Sequence, residues 1–179
     1  MSFLQFLGLT EKSTPKRAEE DTLTMQAIIS ELSSLPQERA RYLAAFAYIL
    51  GRAAYADSKI NAAETEKMKI IVNGLGHIPA DQVELVVDIA KNQVKLFGGT
   101  ENFLVSRRFR EISTEEQRIE LLDCVFAVSA ADKSITVVED GQARQISKEL
   151  GLSHDKFILA RSSYLEHLAA VKGLNKYRD

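Results

Sequence analysis

The chain has 179 residues, 45% of them hydrophobic, enough for one compact domain that buries roughly 70% of its unfolded surface without a disulfide or metal staple. Twenty-three basic against twenty-five acidic residues leave a formal charge of −2, so no global field draws the protein to nucleic acid or to an anionic membrane. The one cysteine, Cys124, cannot form an intramolecular disulfide and falls in an apolar helical stretch, which suits a reducing cytoplasm and a buried thiol.

Residues 1–9 carry Phe3, Leu4, Phe6, Leu7 and Leu9, with neither a basic n-region nor a small-residue cleavage site, so they do not read as a secretory signal. They also fall far short of the ~20 apolar residues of a spanning helix. They read as an apolar arm packed on the body or on a second subunit of a homo-oligomer, with light membrane contact as the alternative. Residues 10–20 are polar, charged and contain Pro15, which makes residues 1–20 an arm and linker and residues 21–179 the globular domain.

From Asp21 onward the apolar residues recur at helical spacing. Met25, Ile28, Ile29 and Leu32 form one inward stripe, and Leu43, Phe46, Ala47, Leu50 and Ala54 the next. Met68, Ile71, Val72 and Leu75 follow. Val83, Val87, Ala90, Val94 and Phe97 continue the pattern through a helix of about eighteen residues that Gly98-Gly99 ends. Thr100 caps a short helix to about Arg110, and Ser113-Thr114-Glu115-Glu116 opens another, carrying Ile119, Leu122, Phe126 and Ser129. Ala143, Ile146 and Leu150 mark a further helix, and Ser153 caps a last long one that buries Phe157, Ala160, Tyr164 and Leu168. No alternating strand pattern of useful length occurs. Every proline and glycine except Gly51 lies at or near a break. The expected fold is all-α, with about eight helices.

Within that helical frame one pattern is written twice. Ala56-Asp57-Ser58-Lys59-Ile60-Asn61-Ala62-Ala63-Glu64 returns 75 residues later as Ala131-Asp132-Lys133-Ser134-Ile135-Thr136-Val137-Val138-Glu139, and the same offset places Leu75-Gly76 on Leu150-Gly151. Two pseudo-repeated helical hairpins follow, one over about 35–97 and one over about 113–170, each with an acidic turn between its helices. Leu-Gly closes both second helices, where Gly76 and Gly151 are expected to take a left-handed conformation.

In each copy Ile, three residues after Asp, is placed to plug the core beneath the turn, and Glu lies seven residues after Asp. Carboxylates on both sides of a tight loop, with loop carbonyls and water, suit a hard divalent cation: calcium, magnesium or manganese rather than zinc. The three histidines, none at His-x-x-x-His spacing, and the single cysteine offer no zinc set. A true EF-hand is rejected, since Ala53 and Tyr55, or Val128 and Ala130, would stand at its first and third positions and Ser58 or Lys133 at its glycine. The competing reading is structural: Asn61-x-x-Glu64 and Thr136-x-x-Glu139 are both capping boxes, and Asp57 and Asp132 can satisfy free turn amides.

The doubled A-D-x-x-I-x-x-x-E turn, each copy followed by a helix ending in Leu-Gly, resembles the TerB (tellurite-resistance B) family and its TerB-like relatives over roughly residues 35–170. The resemblance implies an all-helical protein of two related units, a bacterial stress-response setting, and divalent-cation binding at Asp57, Glu64, Asp132 and Glu139. The family pattern commonly has glycine after the aspartate, where this chain has Ser58 and Lys133. A lysine there places an ammonium beside the second site and lowers its cation affinity.

Arg107, Arg108 and Arg110 beside Phe103 and Phe109 read as a solvated helix face over a phenylalanine anchor. Arg52 interrupts an apolar stretch and either snorkels or pairs with an acidic neighbour. Tyr48, Tyr55 and Tyr164 read as core-rim residues, and Asp123 and Asp140 as surface acids near the second turn. No G-x-S-x-G, P-loop, dinucleotide fingerprint or H-E-x-x-H occurs, so no catalytic residue is nominated. The expected protein is a non-enzymatic cytoplasmic module that binds a divalent cation and a protein partner. The alternatives are a metal-dependent hydrolase, in which the two turns meet and hold two ions, and a purely structural helical adaptor.

Overall fold

The computed structural model describes residues 19–54, 60–92 and 102–169. The apolar arm, the linker up to residue 18, Tyr55, Asp57, Ser58, Val94, Phe97, Gly98-Gly99 and Thr100 lie outside the described residues, while the last two residues expected in the linker, Glu19 and Glu20, begin the first helix.

Among the described residues there are eight α-helices and no named strand. They are α1 (Glu19–Ser34), α2 (Gln37–Ala54), α3 (Ala62–Gly74), α4 (Ala80–Lys91), α5 (Asn102–Ile112), α6 (Glu115–Ser129), α7 (Val137–Glu149) and α8 (His154–Ser162). The all-α expectation holds. No described helix is long and apolar enough to cross a membrane.

Helix α2 is the centre of the bundle. Ala40 and every residue from Tyr42 to Gly51 are buried, because α4, α5 and α6 pack around it together with α1 and α7. A helix hydrophobic on all sides has no solvent face, so the single stripe expected for it was too narrow. That enclosure also explains Gly51, which lies inside the helix. A Cβ there would lie 2.5 Å from the Ala90 carbonyl oxygen, so α2 and α4 touch backbone to backbone. Gly141, expected near a break, also lies inside a helix, α7, but faces open space.

The helix ends are set by local chemistry. Thr114 and Gln117 exchange the reciprocal bonds of a capping box at the start of α6, so the box opens one residue later than expected, with glutamine in the third position. At the end of α7, Gly151 is left-handed (φ 69°), its N–H bonds Lys148 O (3.0 Å), and Leu152 N–H bonds Ser147 O (3.1 Å), the two bonds of a Schellman motif. The first copy departs from this. The left-handed residue there is His77 (φ 49°), not Gly76. Gly76 is required for space: a Cβ would lie 2.9 Å from Phe46 Cζ and 3.2 Å from Cys124 Sγ.

Helix α8 is nine residues long and stops at Ser162, shorter than expected. Beyond it Leu165–His167 form a 3₁₀ turn, and Leu168 is buried by a different route. Ile135 N–H bonds His167 O (2.6 Å) and Ala169 N–H bonds Ile135 O (2.9 Å), so the backbone after α8 pairs with the second acidic turn in place of continuing the helix.

Candidate functional site

The second acidic turn is described throughout. Helix α6 ends at Ser129, Ala130–Asp132 form a single 3₁₀ turn, and Lys133 reverses the chain in a left-handed conformation (φ 68°). Asp132 Oδ1 accepts from Ser134 N–H (2.9 Å), an Asx turn that satisfies one of the loop amides. Ile135, 1% exposed, is the core plug the spacing predicts. The left-handed Lys133 stands where the family pattern commonly has glycine, which costs nothing in that conformation. In the first copy Ile60 packs half-buried against the core and Asn61 begins α3, while Asp57 lies outside the described residues.

Both glutamates are helix caps. Asn61 N–H donates to Glu64 Oε2 and Glu64 N–H to Asn61 Oδ1, each at 2.9 Å. Thr136 donates to Glu139 Oε2 from its N–H and from its hydroxyl, both at 2.8 Å, and Glu139 N–H returns a bond to Thr136 Oγ1 (3.2 Å). In each copy these bonds engage Oε2, so the structural reading and a ligand role draw on different oxygens of the same carboxylate.

Sequence alone left open whether the two acidic motifs lie near each other. Among the described residues, the start of α3 in the first copy and the turn of the second meet at one cleft. One cleft of about 260 Å³ is lined by Asn61, Glu64 and Lys67 from the first copy and by Ser129, Asp132 and Glu139 from the second. Met68, Ile71 and Val128 form part of its apolar wall. Helix α3 packs on α6, and α7 packs on α2, so the second helix of each repeat lies against the first helix of the other. Two bonds from donors at repeat-equivalent positions, to acceptors that are not equivalent, cross between the repeats. Lys67 Nζ donates to Ala131 O (2.8 Å), and Gln142 Nε2, 75 residues on from Lys67, donates to Arg52 O (3.1 Å).

The donors around the cleft are carboxylate, amide, carbonyl and hydroxyl oxygens, the set a hard cation selects. The Ser129 hydroxyl adds to this. Ser129 is 6% exposed, lines the cleft, and its Oγ has no hydrogen-bond partner among the described residues. Among the described residues, however, no three His, Cys, Asp or Glu side chains converge closely enough to hold a metal ion by themselves.

Beside the cleft, Arg52 resolves as an ion pair. Its two terminal nitrogens reach Glu149 Oε2 (2.6 Å) and Oε1 (3.1 Å), while Ser106 Oγ (2.8 Å) and Gln145 Nε2 (3.1 Å) complete the carboxylate. Burial pushes the Glu149 pKa up, but these hydrogen bonds outweigh it and hold the group below the ordinary glutamate value. Glu149 was not foreseen because its counterpart in the first repeat is Gly74, so the repeat carries no sign of it. Lys67 and Gln142 also escaped sequence reading, although their 75-residue offset is a visible signal.

The remaining residues singled out in the sequence divide plainly. Phe109 is a buried anchor, whereas Phe103 is 63% exposed; Arg107 and Arg108 pair with Glu111 on the solvated face of α5. Tyr48 is fully buried and its hydroxyl donates to Asn102 Oδ1 (2.7 Å). Tyr164 is half-buried and stacks on Phe126. Asp140 is held by Arg161 through two bonds (2.7 and 2.9 Å), and burial and then Glu120 raise the pKa of Asp123, so neither is a simple solvated acid. Cys124 is buried, and that burial, with Asp123 and Glu120 nearby, pushes its thiol pKa well above the ordinary value.

A family model described as "Tellurite resistance protein TerB" matches residues 42–162, more than half of the chain and inclusive of both acidic turns. No curated protein and no solved structure matches it.

Proposed function

We propose that this chain, which belongs to the tellurite resistance protein TerB family, is a non-enzymatic cytoplasmic module that binds a divalent cation between its two acidic turns and passes that occupancy to a protein partner in a stress response. The observation that carries the reading is the shared cleft: the start of α3 and the second turn, from motifs 75 residues apart in sequence, present oxygen donors to one space. Glu64, Asp132 and Glu139 are the proposed ligands there, and Asp57 the fourth by its place in the repeated motif. Calcium, magnesium or manganese suits this donor set.

An ion in the cleft is read as a link between repeats, because the lining comes from both. The capping boxes support this role by fixing the glutamate backbones before any ion arrives, with Oε1 of each carboxylate taking no part in the cap. Val137 (73% exposed) and Val138 (64%) immediately precede Glu139 and place an apolar surface beside the cleft. A partner docked on that surface would sense the order of the turn.

Facing turns are also the arrangement a two-ion hydrolase would use. Binding is favoured over turnover because both glutamates are engaged as caps.

The test is calorimetric titration of calcium, magnesium and manganese into the chelator-stripped protein and into an Asp57→Ala/Asp132→Ala variant. Saturable heat that the double substitution abolishes is expected. Heat no greater than dilution, or an isotherm indifferent to the substitutions, overturns the proposal. A phosphoester assay with manganese should show no turnover.

A further inference from the structure

The Lys67 ammonium donates across the cleft to Ala131 O (2.8 Å), and Ala131 belongs to the 3₁₀ turn that precedes the second site. A turn carbonyl of this kind is a hard oxygen, the same class of donor that a divalent ion recruits from a loop. The lysine is therefore a monovalent cation, carried on a four-carbon stem from the first repeat, seated on the backbone of the second. At the equivalent position of the second repeat stands the uncharged Gln142, which donates to a different acceptor, Arg52 O on α2. The cleft-side donor of the first repeat therefore carries a charge that its counterpart in the second repeat lacks. The Ser129 Oγ, which lines the same cleft buried and without a hydrogen-bond partner among the described residues, is an independent sign that the cleft is built to receive a ligand.

We propose that Lys67 is a tethered counter-cation of the cleft: its ammonium holds the Ala131 carbonyl when no ion is bound and leaves it when a divalent ion enters. The proposal rests on the cation reading above and gives it a regulation. Ammonium and ion compete for the same carboxylate-rich space, since two positive centres a few ångströms apart repel strongly. Ion entry then breaks the bond between α3 and the second turn, so occupancy exchanges one link between the repeats for another.

The test is titration of calcium and manganese into the stripped wild-type protein and into Lys67→Met and Lys67→Arg, followed by calorimetry and by melting temperature. Lys67 is exposed, so all three proteins fold. The methionine variant should bind about tenfold more tightly than wild type, from loss of one positive charge at the site, and the arginine variant should stay near wild type. Without ion, the methionine variant should melt slightly below wild type, and with saturating ion above it. Equal or weaker binding by the methionine variant, with wild type still binding, overturns the role of Lys67 and leaves the cation site standing. No binding by any of the three overturns the cation site and this proposal together.

Discussion

Arg52, near the end of the first repeat's leading helix, and Glu149, the last residue of the second repeat's closing helix, form a two-pronged ion pair with side chains only 10% and 8% exposed. The pair joins α2 to α7, and Ser106 ties α5 to the same carboxylate. Gln142 binds the Arg52 carbonyl, so backbone and side chain of one residue both reach the second repeat. Breaking a buried pair from one side leaves the other charge desolvated and alone.

Arg52→Met, which keeps the aliphatic stem, should therefore lower unfolding free energy by about 3–5 kcal/mol in denaturant titration. The pair also sets a pH dependence. The folded pKa of Glu149 lies below its ordinary value, so its stabilisation is complete above the ordinary glutamate range and is lost as pH falls through the depressed folded value. The difference in stability between wild type and Glu149→Gln should shrink in that acid window. A difference that does not change with pH there would contradict the assignment.

Gly51→Ala should destabilise the protein despite the better helix propensity of alanine. Propensity contributes about 1 kcal/mol in favour, but a Cβ 2.5 Å from the Ala90 carbonyl oxygen must push α2 and α4 apart. Overpacking of this kind costs about 1–3 kcal/mol or more, and here both sides of the clash are backbone. Thermal melting of the variant should fall; a rise would show that the two helices are free to separate.

Lys133 separates backbone strain from charge. Its φ of 68° is a conformation that glycine takes freely, while a side chain bearing a Cβ costs roughly 1–2 kcal/mol. Lys133→Gly should be more stable than Lys133→Ala by about 1 kcal/mol, since both remove the same charge and differ only in Cβ. Equal stabilities would mean that the turn relaxes to another conformation when the lysine is removed.

Glu139 separates capping from ligation. Glu139→Gln keeps an oxygen acceptor for Thr136 and should change metal-free stability by less than about 0.5 kcal/mol, whereas Thr136→Ala removes the cap and should cost about 1 kcal/mol. With cation present the order reverses: the glutamine variant should lose most of its ion-induced stabilisation and the alanine variant should keep it. Identical ion responses in the two variants would assign Glu139 to capping alone.

Much of the fold is legible in the sequence because helices announce themselves locally. The periodicity of Ile28 and Leu32, the cap at Ser153 and the stop at Gly151 each act within a turn or two of chain. What was not legible depends on partners distant in sequence. Gly51 answers to Ala90, Gly76 to Cys124, and the early end of α8 to a backbone pairing with Ile135. The same division holds at the site. The motif places Asp132, Glu139 and Glu64 on their turns, and the Asn61 and Thr136 boxes follow from spacing alone. The meeting of the start of α3 with the second turn, and the reach of Lys67 to Ala131, arise only when α3 packs on α6.

The central claim is that both turns serve one cation, and localised paramagnetic broadening tests it most directly. Manganese titrated at substoichiometric levels into isotopically labelled, chelator-stripped protein should broaden the amide signals of 60–64 and 130–139 together, and excess calcium or magnesium should restore them. Broadening confined to one turn, scattered over exposed acids elsewhere, or absent altogether would contradict a shared site.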